Sequence, residues 1–203
     1  KGPLFVACEV GEVESGGGRD RNLNVVVNLA TAIKEEWLRE LFPADFKEVH
    51  AVVYDTTLRR VVARVESRFR DLMLGEKLAG DPPADEAAEI LAREVVAGRC
   101  ALENWDEAVE QWILRVNRLR EWMPELELPA ILDEDRRAMI EHVCHGAFSC
   151  GEIKARPVLP IVKSWLSRQQ RSWMEEHTPE RIRLPKGRTG KVDYSVGGGA
   201  TIA

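Results

Sequence analysis

The sequence predicts an α+β protein with a small N-terminal β-barrel or curled sheet, a helical domain, and the start of a second β unit. Three observations predict this order. Apolar side chains alternate with a period of two in the first 80 residues, they recur at helical spacing up to about residue 177, and the alternation then returns. The prolines of Asp81-Pro82-Pro83 mark the first change of pattern. We therefore predict domains at 1–80, 81–177 and 178–203, the last of them truncated.

Strands dominate the first predicted domain. Residues 3–13 predict one strand, and NLNVVVNLATAI, residues 22–33, predicts a half-buried strand because apolar and asparagine side chains alternate along it. A short helix is predicted at 34–42, where Pro43 stops it. The strands EVHAVVYD and LRRVVARVE flank Thr56-Thr57 and predict a hairpin, and short strands in this order favour a barrel or a curled sheet. The apolar face of the second strand holds Leu23, Val25, Val27 and Leu29.

Four helices are predicted in the second domain, and strand alternation returns at Arg181–Val196. Asn104 with Glu107 three residues later resembles a capping box that opens the second helix. Along that helix the apolar residues from Trp105 to Leu119 form one stripe, which is typical of a face that packs in a core. The predicted helices run at about 84–97, from Asn104 to Pro124, from Asp133 to about Ala147, and from Val158 through Trp173.

Composition and charge restrict the class of protein. The 203 residues are 44% hydrophobic and 31% charged, which indicates a globular chain. No apolar run approaches the roughly 20 residues that span a bilayer, so no membrane contact is expected. Four cysteines without CxxC spacing favour reduced thiols and a cytoplasmic protein. The chain starts Lys-Gly-Pro, and we interpret it as a fragment of a longer protein. Its net charge is −1 over residues 1–80, −8 over 81–180 and +4 over 181–203.

Neither a nucleotide site nor a catalytic site is predicted. In LPKGRTGKVDYSVGGG only two residues separate Gly187 from Gly190, whereas a phosphate loop needs four, and Val192 follows Lys191 where a hydroxyl is required. The stretch instead predicts a hairpin turn with basic flanks. No motif of a catalytic nucleophile occurs, so no catalytic residue is predicted. No metal ligand is predicted either. One further cluster, which lacks the spacing of a zinc site, holds His142, Cys144, His145 and Cys150.

Two basic arrays are the predicted nucleic-acid-binding residues. Arginines that alternate along a strand can neutralise consecutive phosphates, and such binding depends on salt and not on sequence. Phe69 and Tyr194 are the only aromatic candidates for stacking, so contacts to the backbone are expected rather than contacts to bases. The alternative interpretation is a solvated face that pairs with the acidic helices. The arrays are Arg60, Arg64, Arg68 and Arg70, and Arg181, Arg183, Lys186, Arg188 and Lys191.

The order of these segments resembles the C-terminal region of the bacterial HrpB-type DEAH/DExH-box ATP-dependent helicases. The similarity covers essentially the whole chain, beginning with a strand like Pro3–Val10 and a Gly-rich loop after it. The turn Pro185-Lys186-Gly187 departs from the family, because a small residue is expected in place of the lysine. The other similar segments are Val25–Ala30, Val53-Tyr54-Asp55, Val61–Arg64, Leu72 and Leu74, Leu102–Trp105, Arg115–Trp122, Leu128-Pro129, Leu159–Leu166 and Ile182–Leu184.

The resemblance implies both a fold and a function. The family places an OB-like β domain here, followed by a helical region, and its members couple ATP hydrolysis to movement along nucleic acid. Two RecA-like domains of the same chain hold ATP and Mg²⁺ in such helicases, and neither their phosphate loop nor their DEAH motif occurs in these residues. The resemblance therefore implies a non-catalytic accessory portion, without its own cofactor, that frames the path of a single-stranded nucleic acid (RNA favoured) or recruits partners. The alternative is a protein-interaction module without nucleic-acid contact.

Overall fold

The structure contains two compact units. The computed structural model describes residues 3–15, 22–185, 187–194 and 199–202. The units are Lys1–Ala51 with Arg64–Leu78, and Val52–Ala63 with Ala79–Ala203. The predicted α+β class is confirmed. The strands are β1 (Leu4–Ser15), β2 (Asn22–Ile33), β3 (Phe46–Asp55), β4 (Arg60–Phe69), β5 (Leu72–Leu78), β6 (Arg181–Arg183), β7 (Thr189–Asp193) and β8 (Thr201–Ile202). The helices are α1 (Glu35–Leu41), α2 (Ala84–Val96), α3 (Glu107–Trp122), α4 (Asp133–Cys144), α5 (Cys150–Ile153), α6 (Leu159–Lys163) and α7 (Arg168–His177).

The strands β1 and β2 form an antiparallel two-stranded ribbon in the first unit, which starts at the pair Leu4 and Ile33. The predicted second strand is present, with register irregularities around Glu9, but the prediction that it is half-buried is wrong. Val25, Val27 and Leu29 have exposed fractions of 66%, 52% and 57%. Alternation places apolar side chains on one face, whereas their burial needs a second layer of structure. No described residue of this unit covers that face.

The second sheet has the strand order β3–β4–β5. The strands β4 and β5 are antiparallel, with a register irregularity between Ser67 and Arg68. Phe69 packs against Phe42 and Phe46, with ring centroids 6.1 and 5.1 Å apart. None of the sheets formed by the described residues closes into a barrel. The curled-sheet form of the prediction is therefore the one observed, and the OB fold is not confirmed.

The helices of the second unit surround the main hydrophobic core. The predicted apolar stripe of α3 is confirmed, since Trp112, Ile113 and Val116 are buried in this core. Full burial of such side chains contributes about 1.5–3 kcal/mol each. No described helix is long and apolar enough to cross a membrane. The largest fully buried side chains of the core are Leu91, Ile113, Leu119, Ile131, Met139, Ile153, Leu166 and Met174.

The start of α3 differs from the prediction. Asp106 caps this helix, and its carboxylate accepts hydrogen bonds from two backbone N–H groups of the first turn at 3.0 and 3.2 Å. The Asn104 side chain instead donates to the carbonyl oxygens of Ala155 and Arg156. Both asparagine and aspartate can cap a helix. The position of the cap therefore depends on the tertiary contacts of Asn104, which the local sequence does not show.

Two other helices are shorter than predicted. The helix α4 ends at Cys144 and not near Ala147, because Gly146 adopts a left-handed φ of +71° just after it. The predicted fourth helix is in fact two helices, α6 and α7. Ser167 begins the second of these with a capping box to Gln170. Apolar spacing continues across the break, so periodicity alone does not reveal it.

The pairing of the cysteines differs from the prediction. Cys100 and Cys150 form a disulfide with Cα atoms 5.3 Å apart, so the prediction of four reduced thiols is wrong for this pair. The fold joins residues that are 50 positions apart, which local spacing does not indicate. Cys8 is exposed and Cys144 is buried. Burial raises the pKa of the Cys144 thiol to about 11, so this thiol stays protonated at neutral pH.

The carboxylate of Glu110, on α3, contributes to the stability of the fold to an extent that depends on pH. Glu110 accepts hydrogen bonds from Arg136 at 2.8 Å and from the indole of Trp105 at 2.6 Å. The Arg136 hydrogen bond is the main cause that lowers the pKa of Glu110. A carboxyl group whose pKa is lower in the folded state stabilises the fold above its unfolded pKa, and this contribution is lost as the pH falls through its folded pKa.

We therefore expect Arg136→Met to lower the free energy of unfolding by about 0.5–1 kcal/mol at pH 7, the size typical of a partly exposed ion pair. The difference from wild type should become smaller at a lower pH, as the pH falls through the folded pKa of Glu110. Urea unfolding of the variant and of wild type at the two pH values measures this difference in free energy. The matched control is Arg137→Met, because Arg137 is exposed and has no ion-pair partner among the described residues. An equal loss of stability at both pH values would contradict the prediction.

Candidate nucleic-acid interface

The second predicted basic array forms a hairpin in the second unit. The strands β6 and β7 pair antiparallel, with Arg181 opposite Lys191 and Arg183 opposite Thr189. Residues directly opposite each other lie on the same face of a sheet. The three basic side chains therefore share the outer face of the hairpin, while Val192 is buried on the inner face. This arrangement confirms the predicted turn with basic flanks.

The turn of this hairpin carries a further arginine. The N–H of Leu184 donates to the carbonyl oxygen of Arg188 at 2.8 Å, and Gly187 adopts a left-handed φ of +76°. The Arg188 side chain is exposed. The predicted site residue Lys186 lies outside the described residues. We call the four described residues the basic hairpin: Arg181, Arg183, Arg188 and Lys191.

The cations of the basic hairpin differ in their partners. Lys191 donates to Glu107 of α3 at 2.6 Å, which is the pairing with an acidic helix that the alternative interpretation describes. Arg181, Arg183 and Arg188 are exposed and form no ion pair with any residue that the structure describes. Their charge is therefore available to a ligand. Tyr194 is buried, and its hydroxyl donates to a backbone carbonyl, so it is not available to stack on a base.

Three arginines of the first array lie in the first unit, and each has a carboxylate partner there. The ion pairs are Arg64 with Glu76 at 2.9 Å, Arg68 with Glu66 at 2.7 Å, and Arg70 with Asp45 at 2.8 Å. The hydrogen bond that Arg70 donates to Asp45 is the main cause that raises the pKa of Arg70. These carboxylates would compete with phosphates for the same donors. The first array is therefore less available to nucleic acid than the basic hairpin.

Arg60, the fourth member of the first array, belongs to the second unit. Its backbone forms an isolated antiparallel bridge with Ser149, and its side chain is exposed. Its charge also helps to lower the pKa of Glu152, although the backbone N–H of Phe148 is the main cause of that shift. Arg60 thus belongs to a different unit from the other arginines of its array.

Sequence reasoning missed three basic residues that line two cavities next to the basic hairpin. The cavity of about 460 Å³ is lined by Arg115 and Lys163 together with Arg181 and Lys191 of the hairpin. The cavity of about 410 Å³ is lined by Arg115, Lys163 and Arg171. The signal in the sequence was Arg115, a charged residue within the apolar stripe of α3. A charge at such a position indicates a buried partner or a functional group.

The side chain of Arg115 is buried and held in a fixed orientation. It is 6% exposed, its Nε donates to the carbonyl oxygen of Thr178 at 2.6 Å, and its Nη1 donates to Glu180 at 2.9 Å. Its Nη2 has no hydrogen-bond partner in the described ranges. Two fixed donors leave the guanidinium plane little freedom to rotate. The remaining nitrogen is therefore available to a ligand.

The described residues contain no other candidate for chemistry. No three of their His, Cys, Asp or Glu side chains lie close enough together to hold a metal ion. In the cluster that the sequence singled out, Cys144 is a buried thiol, Cys150 is in the disulfide, and His145 contacts Asp85 at 3.1 Å. The arrangement can bind anions through arginine and lysine. It offers no nucleophile with an adjacent base.

Comparison with known proteins gives two structural matches. No protein-family model matches this chain, and no curated protein sequence matches it. A crystal structure of the E. coli DExH-box NTPase HrpB matches with a TM-score of 0.55 and 17% identity, over 98% of this chain and 24% of that one. A crystal structure of the E. coli DEAH/RHA helicase HrpB matches with a TM-score of 0.54 and 19% identity, over 78% of this chain and 21% of that one.

These matches concern the fold, because the identities are low. The chain spans about a quarter of the length of the solved chains that it matches. The resemblance predicted from the order of sequence segments is confirmed at this level. The chain has the fold of a portion of an HrpB-type DExH-box helicase.

Proposed function

We propose that this chain is a non-catalytic accessory portion of an ATP-dependent helicase that binds the phosphate backbone of a single-stranded nucleic acid, with RNA favoured. The basic hairpin carries this proposal. It presents three arginines that have no ion-pair partner in the part of the chain that the structure describes, and the fold is that of a portion of HrpB. Binding to phosphates by such residues is independent of sequence.

The remainder of such a helicase would supply the motor. The RecA-like domains of the same chain would hold ATP and Mg²⁺, because these residues contain no phosphate loop and no DEAH motif. They are the proposed partners of this portion, and the location of the whole protein would be the cytoplasm. Exposed cations on a hairpin, without stacking aromatic residues, fit a role in guiding a strand and not in reading its bases.

Binding of single-stranded RNA over a series of salt concentrations tests the proposal. We expect the affinity of the wild-type chain to fall steeply with salt. The double variant Arg181→Ala/Arg183→Ala removes two phosphate contacts, so the slope of log K against log salt should decrease by about 1.4. Filter binding of a labelled oligonucleotide measures both quantities.

The matched control is Arg120→Ala/Arg137→Ala, which makes the same change of net charge at two exposed arginines outside the hairpin, on α3 and α4. It should leave the slope of the wild-type chain nearly unchanged. Absence of binding at low salt, or an equal effect of both double variants, would contradict binding through the basic hairpin. A DNA oligonucleotide of the same sequence tests the preference for RNA.

A protein-interaction module is the second candidate function, and one observation favours it. The ribbon of β1 and β2 exposes large apolar side chains, including Val25, Val27 and Leu29. Exposed apolar surface of this kind is typical of a contact with another protein or domain. Absence of RNA binding at low salt would favour this candidate over the first.

A further inference from the structure

We propose that the two cavities around Arg115 form one binding pocket for a phosphate group. We call it the Arg115 pocket and define it by Trp112, Arg115, Lys163, Arg171 and Glu180. Four of these residues, all except Arg171, line both cavities. The inference goes beyond the proposed function, because its central donors lie on α3, α6 and α7, although Arg181 and Lys191 of the basic hairpin also line the larger cavity.

The first argument is the preorganised donor in the pocket. Arg115 is held by Thr178 and Glu180 through two of its nitrogens, and its Nη2 has no partner among the described side chains and backbone groups. Thr178 is itself buried, so one of these contacts is shielded from water. An arginine fixed in this way loses little conformational freedom when it binds an anion. Planar guanidinium donors suit the oxygens of a phosphate.

The second argument is a pair of cations on the two other helices that line the pocket, α6 and α7. Lys163 lies in the last turn of α6 and Arg171 in the first turn of α7, and neither has an ion-pair partner among the residues that the structure describes. Both side chains are at least partly exposed, so neither is needed for the core. Two unpaired cations beside a fixed arginine are typical of a site that neutralises an anion.

The third argument is the net charge of the pocket, its apolar wall and its volume. The acids Glu175 and Glu180 also line the pocket, and Glu180 is already paired with Arg115. With Arg181, Lys191 and Glu107 of the larger cavity, the two cavities together are lined by five cations and three carboxylates, an excess of two that favours an anion as the ligand. The buried side chains of Trp112 and Met174 give the pocket an apolar wall. The volume exceeds what one phosphate needs, so the group attached to the phosphate can also enter.

The phosphate could be free, at the end of a nucleic acid, or within its backbone, and the shared chemistry is the phosphate group itself. We would titrate the whole chain with inorganic phosphate at constant ionic strength and follow binding by calorimetry. Two labelled oligonucleotides of the same sequence, one with a 5′-phosphate and one with a 5′-hydroxyl, would be compared in the same buffer without phosphate.

The test variant is Lys163→Gln/Arg171→Gln, which leaves Arg115 and the hairpin unchanged. The matched control is Arg168→Gln/Arg120→Gln, where Arg168 is exposed on the same helix as Arg171 but does not line the pocket. We expect the test variant to weaken the binding of at least one phosphate probe by tenfold or more, and the control to weaken it less than twofold. Thermal unfolding of each variant would confirm that its fold is retained.

The probes distinguish the sources of phosphate. A preference for the 5′-phosphate oligonucleotide that the test variant abolishes would assign the pocket to a strand end. Equal binding of both oligonucleotides, weakened by the test variant, would assign it to the backbone. Binding of inorganic phosphate alone, also weakened by the test variant, would assign it to a free phosphate. All three outcomes support the pocket.

Two outcomes would overturn the inference: no probe binds, or the test variant and the control behave alike. Arg181 also lines the larger cavity, so the proposed function is tested separately by the hairpin variant Arg183→Ala/Arg188→Ala in the salt series, in which neither arginine lines a cavity of the pocket. If RNA binding is lost with the hairpin variant, and the pocket variant changes the binding of neither RNA nor inorganic phosphate, the inference fails and the proposed function stands. If inorganic phosphate binds through the pocket and RNA does not bind, the proposed function fails and the inference stands.

Discussion

Replacing Arg115 by methionine is expected to lower the free energy of unfolding by about 2–3 kcal/mol. The methionine keeps much of the apolar stem but removes the donor to the buried carbonyl oxygen of Thr178, and an unsatisfied buried acceptor costs about 1–3 kcal/mol. The lost ion pair with Glu180 adds at most about 1 kcal/mol, because the Glu180 side chain is largely exposed and remains solvated. Urea unfolding at pH 7 measures the change.

Two control variants separate these contributions. Arg120→Met changes an exposed arginine of the same helix and should alter stability by less than about 0.5 kcal/mol. Glu180→Gln removes the ion pair but keeps the hydrogen bond to Thr178, so it should cost less than about 1 kcal/mol. If Arg115→Met proves as stable as Arg120→Met, the buried hydrogen bond does not contribute and the fixed orientation of Arg115 is wrong.

Replacing Leu119 by alanine is expected to lower the free energy of unfolding by about 3 kcal/mol. Leu119 is fully buried in the core of the second unit, in the stripe of α3 that also includes Ile113 and Val116. The cost combines the lost transfer of the deleted carbon atoms with the cavity that they leave behind. Alanine keeps the helix propensity high, so the loss reflects packing and not the stability of the isolated helix. Thermal or urea unfolding measures it.

Leu29→Ala is the matched control, because it deletes the same atoms from a side chain that is 57% exposed on the ribbon of β1 and β2. It should cost less than about 0.5 kcal/mol in this chain. A cost similar to that of Leu119→Ala would show that the ribbon face is covered in solution. A small cost for Leu119→Ala would contradict the core that the structure shows.

The main elements of the fold were predictable from local patterns. The stripe of α3 has helical spacing, and its burial follows because an amphipathic helix turns its apolar side toward a core. The alternation of Val25, Val27 and Leu29 likewise predicted a strand, which β2 confirms. Capping was predicted at the wrong residue, Asn104 in place of Asp106, because several residue types satisfy the same local requirement.

The candidate site was predictable only in part. The basic flanks of the hairpin were visible as Arg181, Arg183 and Lys191, since residues two apart in a strand share a face. The contribution of Lys163 and Arg171 was not visible, because they lie on other helices and reach the same cavity only in the folded chain. The ion pairs that occupy Arg64 and Arg68 also depend on the register between strands and on neighbouring carboxylates.

The sequence alone determined the α+β class, the apolar stripe of α3 and the basic character of the hairpin, because these follow from side-chain periodicity along one element. Only the tertiary structure decided that Val25 and Leu29 are exposed, that Cys100 meets Cys150, and that the nitrogens of Arg115 are held by Thr178 and Glu180. Burial and pairing depend on contacts between residues far apart in the chain, and no local pattern specifies which element will lie against another.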